Sequence, residues 1–256
     1  MPERVEPVRF NRPFDFNKGQ MDILGGFVSK YYDSTRERMP VPGAWRAMGG
    51  EELWKHLVRI IVAMGRSAPS YRLIESPDFD LLTIRSMKAF QECSGPDALI
   101  KRTHSALTKY NVRYCSPGKE TSLKAQAMVN NLNEPAIVNG NELVLIRNMR
   151  KAPDPRFYLM DTVHGYGMKS ASEFLTETGY SQGYLAFDSR LKRAFTLLFN
   201  RDFDRRISTP RDYMDFEAVF REEICPELGV KPSELDAILF WNYGDILKSL
   251  KRRQNK

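Results

Sequence analysis

Lys169 and Asp188 are the two residues whose types and surroundings best fit covalent chemistry. Lys169 comes two residues after a Gly165-Tyr166-Gly167 turn, and Asp188 opens the next basic helical pattern, beyond one predicted helix and a short loop. A neutral lysine amine is a nucleophile, and a carboxylate can stabilise positive charge that develops while the amine attacks. The pair therefore predicts a site of nucleophilic catalysis with lysine as the attacking group.

The glycine turn itself predicts a helix-hairpin-helix. One helical pattern, at 155–163, leads into the turn, and a second, at 168–178, starts directly after it. Backbone amides in such a turn, together with the positive end of the following helix, point outward at an anion. We expect Gly165 and Gly167 to let a phosphate approach the backbone, and His164 to contact the same phosphate.

Each of these residues also has an ordinary structural interpretation. A Gly-x-Gly turn can join packed helices that bind nothing, Lys169 and Glu173 are spaced for an i, i+4 ion pair, and Asp188 could simply cap a helix. Arg190 and Arg193, on the helix that Asp188 opens, suit phosphate contacts and internal salt bridges equally well. The combination of hairpin, lysine and aspartate favours the catalytic interpretation.

These motifs resemble those of the helix-hairpin-helix superfamily of DNA glycosylases, in the branch that combines glycosylase and AP lyase activities. The hairpin and catalytic-lysine motif of the archaeal and bacterial 8-oxoguanine DNA glycosylases is similar to G-Y-G-M-K-S-A-S-E-F-L at 165–175. The D-x-R-x-x-R that follows the catalytic aspartate in the archaeal group is similar to D-S-R-L-K-R at 188–193, and that group's final helix looks like E-L-D-A-I-L-F-W at 234–241. The specific resemblance covers about residues 155 to 245, and 54–64 resembles the family's first core helix.

The resemblance implies an all-α, two-lobed helix-hairpin-helix DNA glycosylase fold, and double-stranded DNA with a damaged or modified base as the partner of a monomeric protein. In that role Lys169 attacks the sugar C1′ and forms a Schiff base, while Asp188 stabilises the cationic sugar and takes part in proton transfer. The backbone carbonyls of Asp161, Val163 and Tyr166 match positions that can hold a monovalent cation beside a DNA phosphate in the family. No cofactor and no other metal are implied.

The resemblance favours 8-oxoguanine as the excised base, and two alternatives stay open. One is a glycosylase for another damaged or hypermodified base, because the base pocket cannot be assigned among 15 Phe and 11 Tyr residues. The other is a helix-hairpin-helix module that binds DNA phosphates without chemistry. The spacing C-x₆-C-x₂-C-x₅-C of the branches with a four-cysteine iron–sulfur loop is absent from the sequence, which argues against those branches.

Helical periodicity dominates the sequence and predicts an all-α protein. The clearest pattern, at 49–65, has acidic residues in its first turn and apolar residues at helical spacing, which is typical of a central core helix. We expect another helix to begin near Met21. Further helices are predicted at about 80–93, 96–108, 118–131, 139–150, 155–163, 168–178, 188–199, 210–224 and 232–248, the last with Ser233 as its cap.

The sequence predicts an N-terminal arm at 1–20, a two-lobed helical body at 21–247 with the hairpin at about 155–178, and a basic tail at 248–256. Hydrophobic residues make up 42% and charged residues 28%, which is typical of a soluble globular protein. Without a signal peptide or membrane span, the protein is expected to be cytoplasmic and, in a prokaryote, nucleoid-associated. Its 3 histidines and 3 cysteines are dispersed and predict no metal cluster, while a net charge of +7 favours a polyanionic partner.

Overall fold

A computed structural model describes residues 12–65 and 67–254 of the chain. Residues 1–11 of the predicted arm and the last two residues of the predicted tail lie outside the described residues. Apart from one two-stranded hairpin, the regular structure of the described residues is helical, so the predicted all-α fold is confirmed. None of the described helices is long and apolar enough to cross a bilayer.

The chain forms two compact units. The first is Val41–Tyr180, and the second combines the described parts of Met1–Pro40 and Ser181–Lys256. Short 3₁₀ helices lie at Ala44–Arg46 and Pro77–Leu82, and a π-helical turn at Phe220–Ile224. In chain order the α-helices are α1 (Lys18–Arg36), α2 (Gly50–Ala63), α3 (Ala68–Ile74), α4 (Ile84–Ser94), α5 (Pro96–Lys109), α6 (Leu123–Asn133), α7 (Leu145–Met149), α8 (Pro155–Thr162), α9 (Met168–Glu177), α10 (Ser189–Phe199), α11 (Phe203–Arg206), α12 (Pro210–Val219), α13 (Cys225–Leu228), α14 (Pro232–Trp241) and α15 (Tyr243–Gln254).

Helix α2 lies at the centre of the first unit, as the sequence predicts. Its apolar side chains are buried against α3, α6 and α9, and Trp54 is completely buried while its Nε1 donates a hydrogen bond of 2.7 Å to the carbonyl of Leu82. One charged residue, Arg59, is buried in the same helix. Because a buried cation needs a partner, α2 has to pack against a helix that supplies carboxylates, and that helix is α9.

An aromatic cluster forms the core of the second unit. The ring of Phe14, 3% exposed, lies 5.1 Å from Phe199, 5.3 Å from Phe203, 5.4 Å from Phe216 and 5.7 Å from Phe220. Such ring contacts stabilise beyond the area they bury. They join the end of α10 to α11, to α12 and to the π-helical turn after α12.

The helix predicted at 139–150 is wrong over its first half. Strands β1 (Val138–Asn139) and β2 (Glu142–Leu143) pair antiparallel there, and only α7 remains helical. The two-residue loop between the strands begins with Gly140, whose φ of +60° is a conformation that glycine adopts without strain.

The single helix predicted at 232–248 is also wrong, because Asn242 separates α14 from α15 and its side chain donates to the carbonyl of Ile238. Ser233 is not the cap. The α14 cap is Lys231, whose backbone amide donates to the carboxylate of Glu234 at 2.7 Å. The remaining predicted helices are present with shifted ends, and α3 and α11 are short helices that the periodicity did not predict.

Candidate active site

The hairpin between α8 and α9 is present where the sequence predicts it. Gly165 has a φ of +88°, and the Tyr166 amide donates to the Val163 carbonyl at 3.1 Å, which closes the turn. Gly167 is the N-cap of α9 and has extended backbone, with φ −125° and ψ −174°. Only Gly165 therefore needs the conformational freedom of glycine.

The first amides of α9 are available to an anion. Gly167 supplies no side-chain cap, and the first intrahelical hydrogen bond runs from Ala171 to the carbonyl of Gly167 at 2.9 Å. The amides of Met168, Lys169 and Ser170 precede that bond and lie at the positive end of the helix dipole. A Cβ built on Gly167 meets no heavy atom within 4 Å, so the space beside this N-cap residue is open.

Helix α6 holds the turn through Asn131, a residue that the sequence did not predict for the site. Asn131 is fully buried; its Oδ1 accepts from the His164 amide at 2.7 Å and its Nδ2 donates to the His164 carbonyl at 3.1 Å. The His164 amide is thereby occupied, while the residue itself is exposed. The available signal in the sequence was an asparagine at helical spacing from the apolar Ala127 and Met128.

Tyr166 fastens the turn to α2. The residue is 9% exposed, and its hydroxyl donates to the Leu57 carbonyl at 3.4 Å. Burial, with a smaller contribution from the nearby Glu173 carboxylate, raises the pKa of Tyr166 well above its usual range. The phenol is neutral at physiological pH and acts as a structural anchor.

The amine of Lys169 is paired with Glu173, as the structural interpretation of the i, i+4 spacing predicts. Lys169 Nζ donates to Glu173 Oε2, and the Lys169 side chain is 38% exposed against 13% for Glu173. The other oxygen, Oε1, lies 3.6 Å from a guanidinium nitrogen of Arg59, which also contacts Glu177. Lys169 is thus the partly exposed end of a largely buried charged cluster.

His56 lies beside this cluster. Its Nδ1 is 3.9 Å from Glu177 Oε2. Burial, followed by the neighbouring Arg59, lowers the pKa of His56. His56 is therefore neutral at physiological pH, and the charged side chains of the cluster are Arg59, Lys169, Glu173 and Glu177.

Asp188 is the N-cap of α10. Its Oδ1 accepts from the Arg190 amide at 2.8 Å and from the Leu191 amide at 2.9 Å, which fixes the direction of the carboxylate. Among the described residues no hydrogen bond to Oδ2 is found. The capping role expected of Asp188 is confirmed, while its catalytic role stays a prediction.

The loop in front of Asp188 is held by side chains of α12 and α14. The Ala186 amide donates to Asp236 Oδ2 at 2.7 Å, and the Leu185 amide donates to Glu217 Oε1 at 2.9 Å. The Tyr213 hydroxyl accepts from the Phe187 amide at 2.9 Å and donates to the Leu185 carbonyl. These contacts remove the freedom of the loop and so fix the start of α10.

Arg190 and Arg193 differ in their surroundings. The Arg190 guanidinium stacks on the Phe240 ring, 4.5 Å from its centre, and is partly buried. Arg193 is exposed, and no carboxylate among the described residues pairs with it. Both line a groove of about 440 Å³ that also contains Asp202 and Asp204. A phosphate contact therefore stays a prediction for both, and Arg193 is the better placed.

The structure gathers the predicted residues into two groups, one in each unit. His164, Gly165, Gly167 and Lys169 lie together at the hairpin, and Asp188, Arg190 and Arg193 lie together at the start of α10. The joint action of Lys169 and Asp188 stays a prediction. No group of three or more His, Cys, Asp or Glu side chains suited to a metal occurs within residues 12–65 and 67–254.

The chain has the fold of the helix-hairpin-helix 8-oxoguanine DNA glycosylases. It is similar to the 8-oxoguanine glycosylase/lyase of Methanocaldococcus jannaschii, solved in complex with a 15mer DNA containing 8-oxoguanine, with a TM-score of 0.63 and 18% identity over 87% of this chain and 98% of that one. It is also similar to the 8-oxoguanine DNA glycosylase of Thermotoga maritima, with a TM-score of 0.61 and 16% identity over 88% of this chain and 95% of that one. No protein-family model matches the sequence, and no curated protein matches it either. The resemblance read from the hairpin is therefore confirmed at the level of the fold.

Proposed function

We propose that this protein is a DNA base-excision glycosylase with AP lyase activity, and that it removes 8-oxoguanine from double-stranded DNA. The observation that carries the proposal is the hairpin, in which a lysine stands in the first turn of a helix whose leading amides are uncapped. Its setting, a fold shared with two 8-oxoguanine glycosylases, supports the same proposal.

In the proposed reaction Lys169 supplies the nucleophile. Its neutral amine attacks C1′ of the damaged nucleotide, the glycosidic bond breaks with its electron pair on the departing base, and the sugar opens to a Schiff base. Asp188, fixed by its capping bonds to α10, stabilises the cationic sugar while that bond breaks. Elimination from the Schiff base then cuts the strand on its 3′ side.

DNA binding is assigned to the backbone of the hairpin. The amides from Gly167 onward would hold a phosphate next to the extruded nucleotide, with His164 and Arg193 as further contacts. The carbonyls of Asp161, Val163 and Tyr166 suit a monovalent cation because such ions take oxygen ligands, and the one hydrogen bond that Val163 accepts leaves a lone pair. A cation there would neutralise phosphate charge.

The test is single-turnover excision on a panel of duplexes that each carry one lesion, followed by borohydride trapping. We expect the fastest excision and trapping with 8-oxoguanine. Preference for an alkylated, deaminated or hypermodified base would keep the enzyme class and correct the substrate. DNA binding with steep salt dependence and no excision of any base would establish the non-catalytic module instead.

Two variants test the assigned roles within that assay. Lys169→Ala removes the nucleophile, and we expect it to abolish trapping. Asp188→Asn conserves shape and removes the charge, so it should still bind lesion DNA while excision falls by about 100-fold or more, as for loss of a major electrostatic contribution. Excision by Asp188→Asn at the wild-type rate would place the stabilising charge elsewhere.

A further inference from the structure

The cluster of Arg59, Lys169, Glu173 and Glu177 has zero net charge only while one proton stays on either Lys169 or Glu173. Arg59 is 9% exposed and Glu173 is 13% exposed, so the charges of both are poorly screened by solvent. With Lys169 as an ammonium, two cations face two carboxylates. If Lys169 lost its proton to solvent, one carboxylate would be left uncompensated in a mostly buried place.

A nucleophilic Lys169 must nevertheless be neutral. The group in contact with its Nζ is the Glu173 carboxylate, so a proton that moves from Lys169 to Glu173 leaves the net charge of the cluster unchanged. Two other groups lie near this carboxylate, the Arg59 guanidinium and the Tyr166 phenol. Neither can accept the proton in its place, because a guanidinium is permanently protonated and Tyr166 is an anchored neutral phenol.

We propose that Glu173 is the base that accepts the proton of Lys169, and that Arg59 is a positioning residue that keeps Glu173 aimed at the amine. The inference rests on the proposed function, because it takes Lys169 as the nucleophile. It assigns to the reaction a carboxylate from the same helix as the lysine, besides Asp188.

The proton and electron balance closes without any other reactant. One ammonium proton passes to Glu173, the Nζ lone pair forms the bond to C1′, and the glycosidic bond breaks with its electron pair on the base. The substituted nitrogen then gives its second proton to the departing base. The products are a neutral lysine–sugar adduct, a protonated Glu173 and the free base, with the same total charge as the reactants.

Arg59 serves this step through geometry. Its guanidinium contacts both Glu173 and Glu177, which lie one turn apart on α9, and so it prevents Glu173 from turning away from Lys169. The guanidinium also lies 5.6 Å from the Tyr71 ring, which restricts its own movement.

The decisive experiment measures single-turnover borohydride trapping of Glu173→Gln on the lesion duplex that the wild type excises. General-base catalysis typically contributes a factor of ~10²–10⁴, so we expect trapping about 100-fold slower with DNA affinity unchanged. The matched control is Glu120→Gln, which removes a surface partner of Lys101 in the same unit and should trap like the wild type.

Chemical rescue separates a base from a merely structural glutamate. Added formate should raise the trapping rate of Glu173→Ala at least tenfold, because a small carboxylate can occupy the vacated space. Glu173→Asp should keep part of the wild-type rate. Trapping of Glu173→Gln within threefold of wild type would overturn the assignment. A slow Glu173→Ala that formate does not rescue would overturn it as well.

The outcome is separable from that of the proposed function. If Lys169→Ala traps as well as the wild type, or if no lesion is excised, the proposed function fails. If Lys169→Ala is inactive while Glu173→Gln retains full activity, only the role of Glu173 fails.

Discussion

The two glycines of the hairpin respond differently to the same added methyl group. At Gly165 the φ of +88° lies in the left-handed region, where an L side chain costs about 1–2 kcal/mol. The nearest atoms to the new Cβ are Ala127 Cβ at 3.5 Å and Met64 Cε at 3.6 Å, which are ordinary contacts, so backbone strain is the whole cost.

At Gly167 the extended backbone accepts alanine, and no atom lies within 4 Å of the new Cβ. Replacing glycine at a compatible position stabilises by about 0.4–1 kcal/mol through the unfolded chain. We expect the methyl group, however, to obstruct the approach of a phosphate to the amides assigned to it. Loss of one charge-assisted hydrogen bond is worth about 1.5–3 kcal/mol, which corresponds to a loss of binding of about tenfold or more.

The assay combines urea unfolding with fluorescence anisotropy on a duplex that carries a non-cleavable abasic analogue, at one fixed salt concentration. Gly165→Ala should lose stability, whereas Gly167→Ala should gain about 0.4–1 kcal/mol of stability and lose affinity. Gly118→Ala, where a Cβ also meets nothing within 4 Å, is the control and should keep wild-type affinity without losing stability. Wild-type affinity of a stable Gly167→Ala would refute the assigned phosphate position, and equal stability of the two hairpin variants would refute the turn geometry.

Three further predictions concern the residues that hold the site. Tyr213→Phe leaves the Phe187 amide without its acceptor and should lower the free energy of unfolding by about 1–3 kcal/mol in urea titrations; a change below the error of the measurement would contradict that bond. Burial and then Arg59 lower the pKa of His56, so as the pH falls the unfolded chain takes up this proton before the folded protein does. The free energy of unfolding should therefore decrease as the pH drops from 6.5 through the folded pKa of His56. His56→Asn should flatten this pH dependence, and an unchanged slope would contradict the assignment. Asn131→Ala removes both hydrogen bonds to the hairpin turn and should lower the free energy of unfolding by about 2 kcal/mol. It should also weaken binding to abasic DNA, and full affinity would show that the turn is held without these bonds.

Local signals predicted the hairpin well, because its residues are neighbours in sequence. The glycine turn, the helices on both sides and the capping role of Asp188 depend on short-range geometry, and all are present. The strands at 138–143 were not predicted although Gly140-Asn141 is a two-residue hairpin signal, since the apolar residues that follow also fit a helical period. At 138–143 the turn residues, and not the apolar periodicity, therefore decide the structure.

The partners of the site could not be predicted in the same way, because they are distant in sequence. Arg59 stands between Val58 and Ile60 in an apolar run, which indicates a buried charge that needs a carboxylate, but nothing local identifies Glu173 as that partner. Asn131 likewise indicates a buried polar contact without indicating the hairpin turn. Periodicity gives the burial of such residues, and only the packing of α2, α6 and α9 gives their partners.

The most direct test of the account is to locate the covalent bond that borohydride traps between the protein and lesion DNA. Digestion of the trapped complex and mass spectrometry of the peptides should place the sugar remnant on Lys169. Lys124 is the informative alternative, because burial lowers its pKa to about 8 while its amine donates to the carbonyls of Val62 and Met64. A remnant on Lys124 or on any residue other than Lys169 would contradict the central claim.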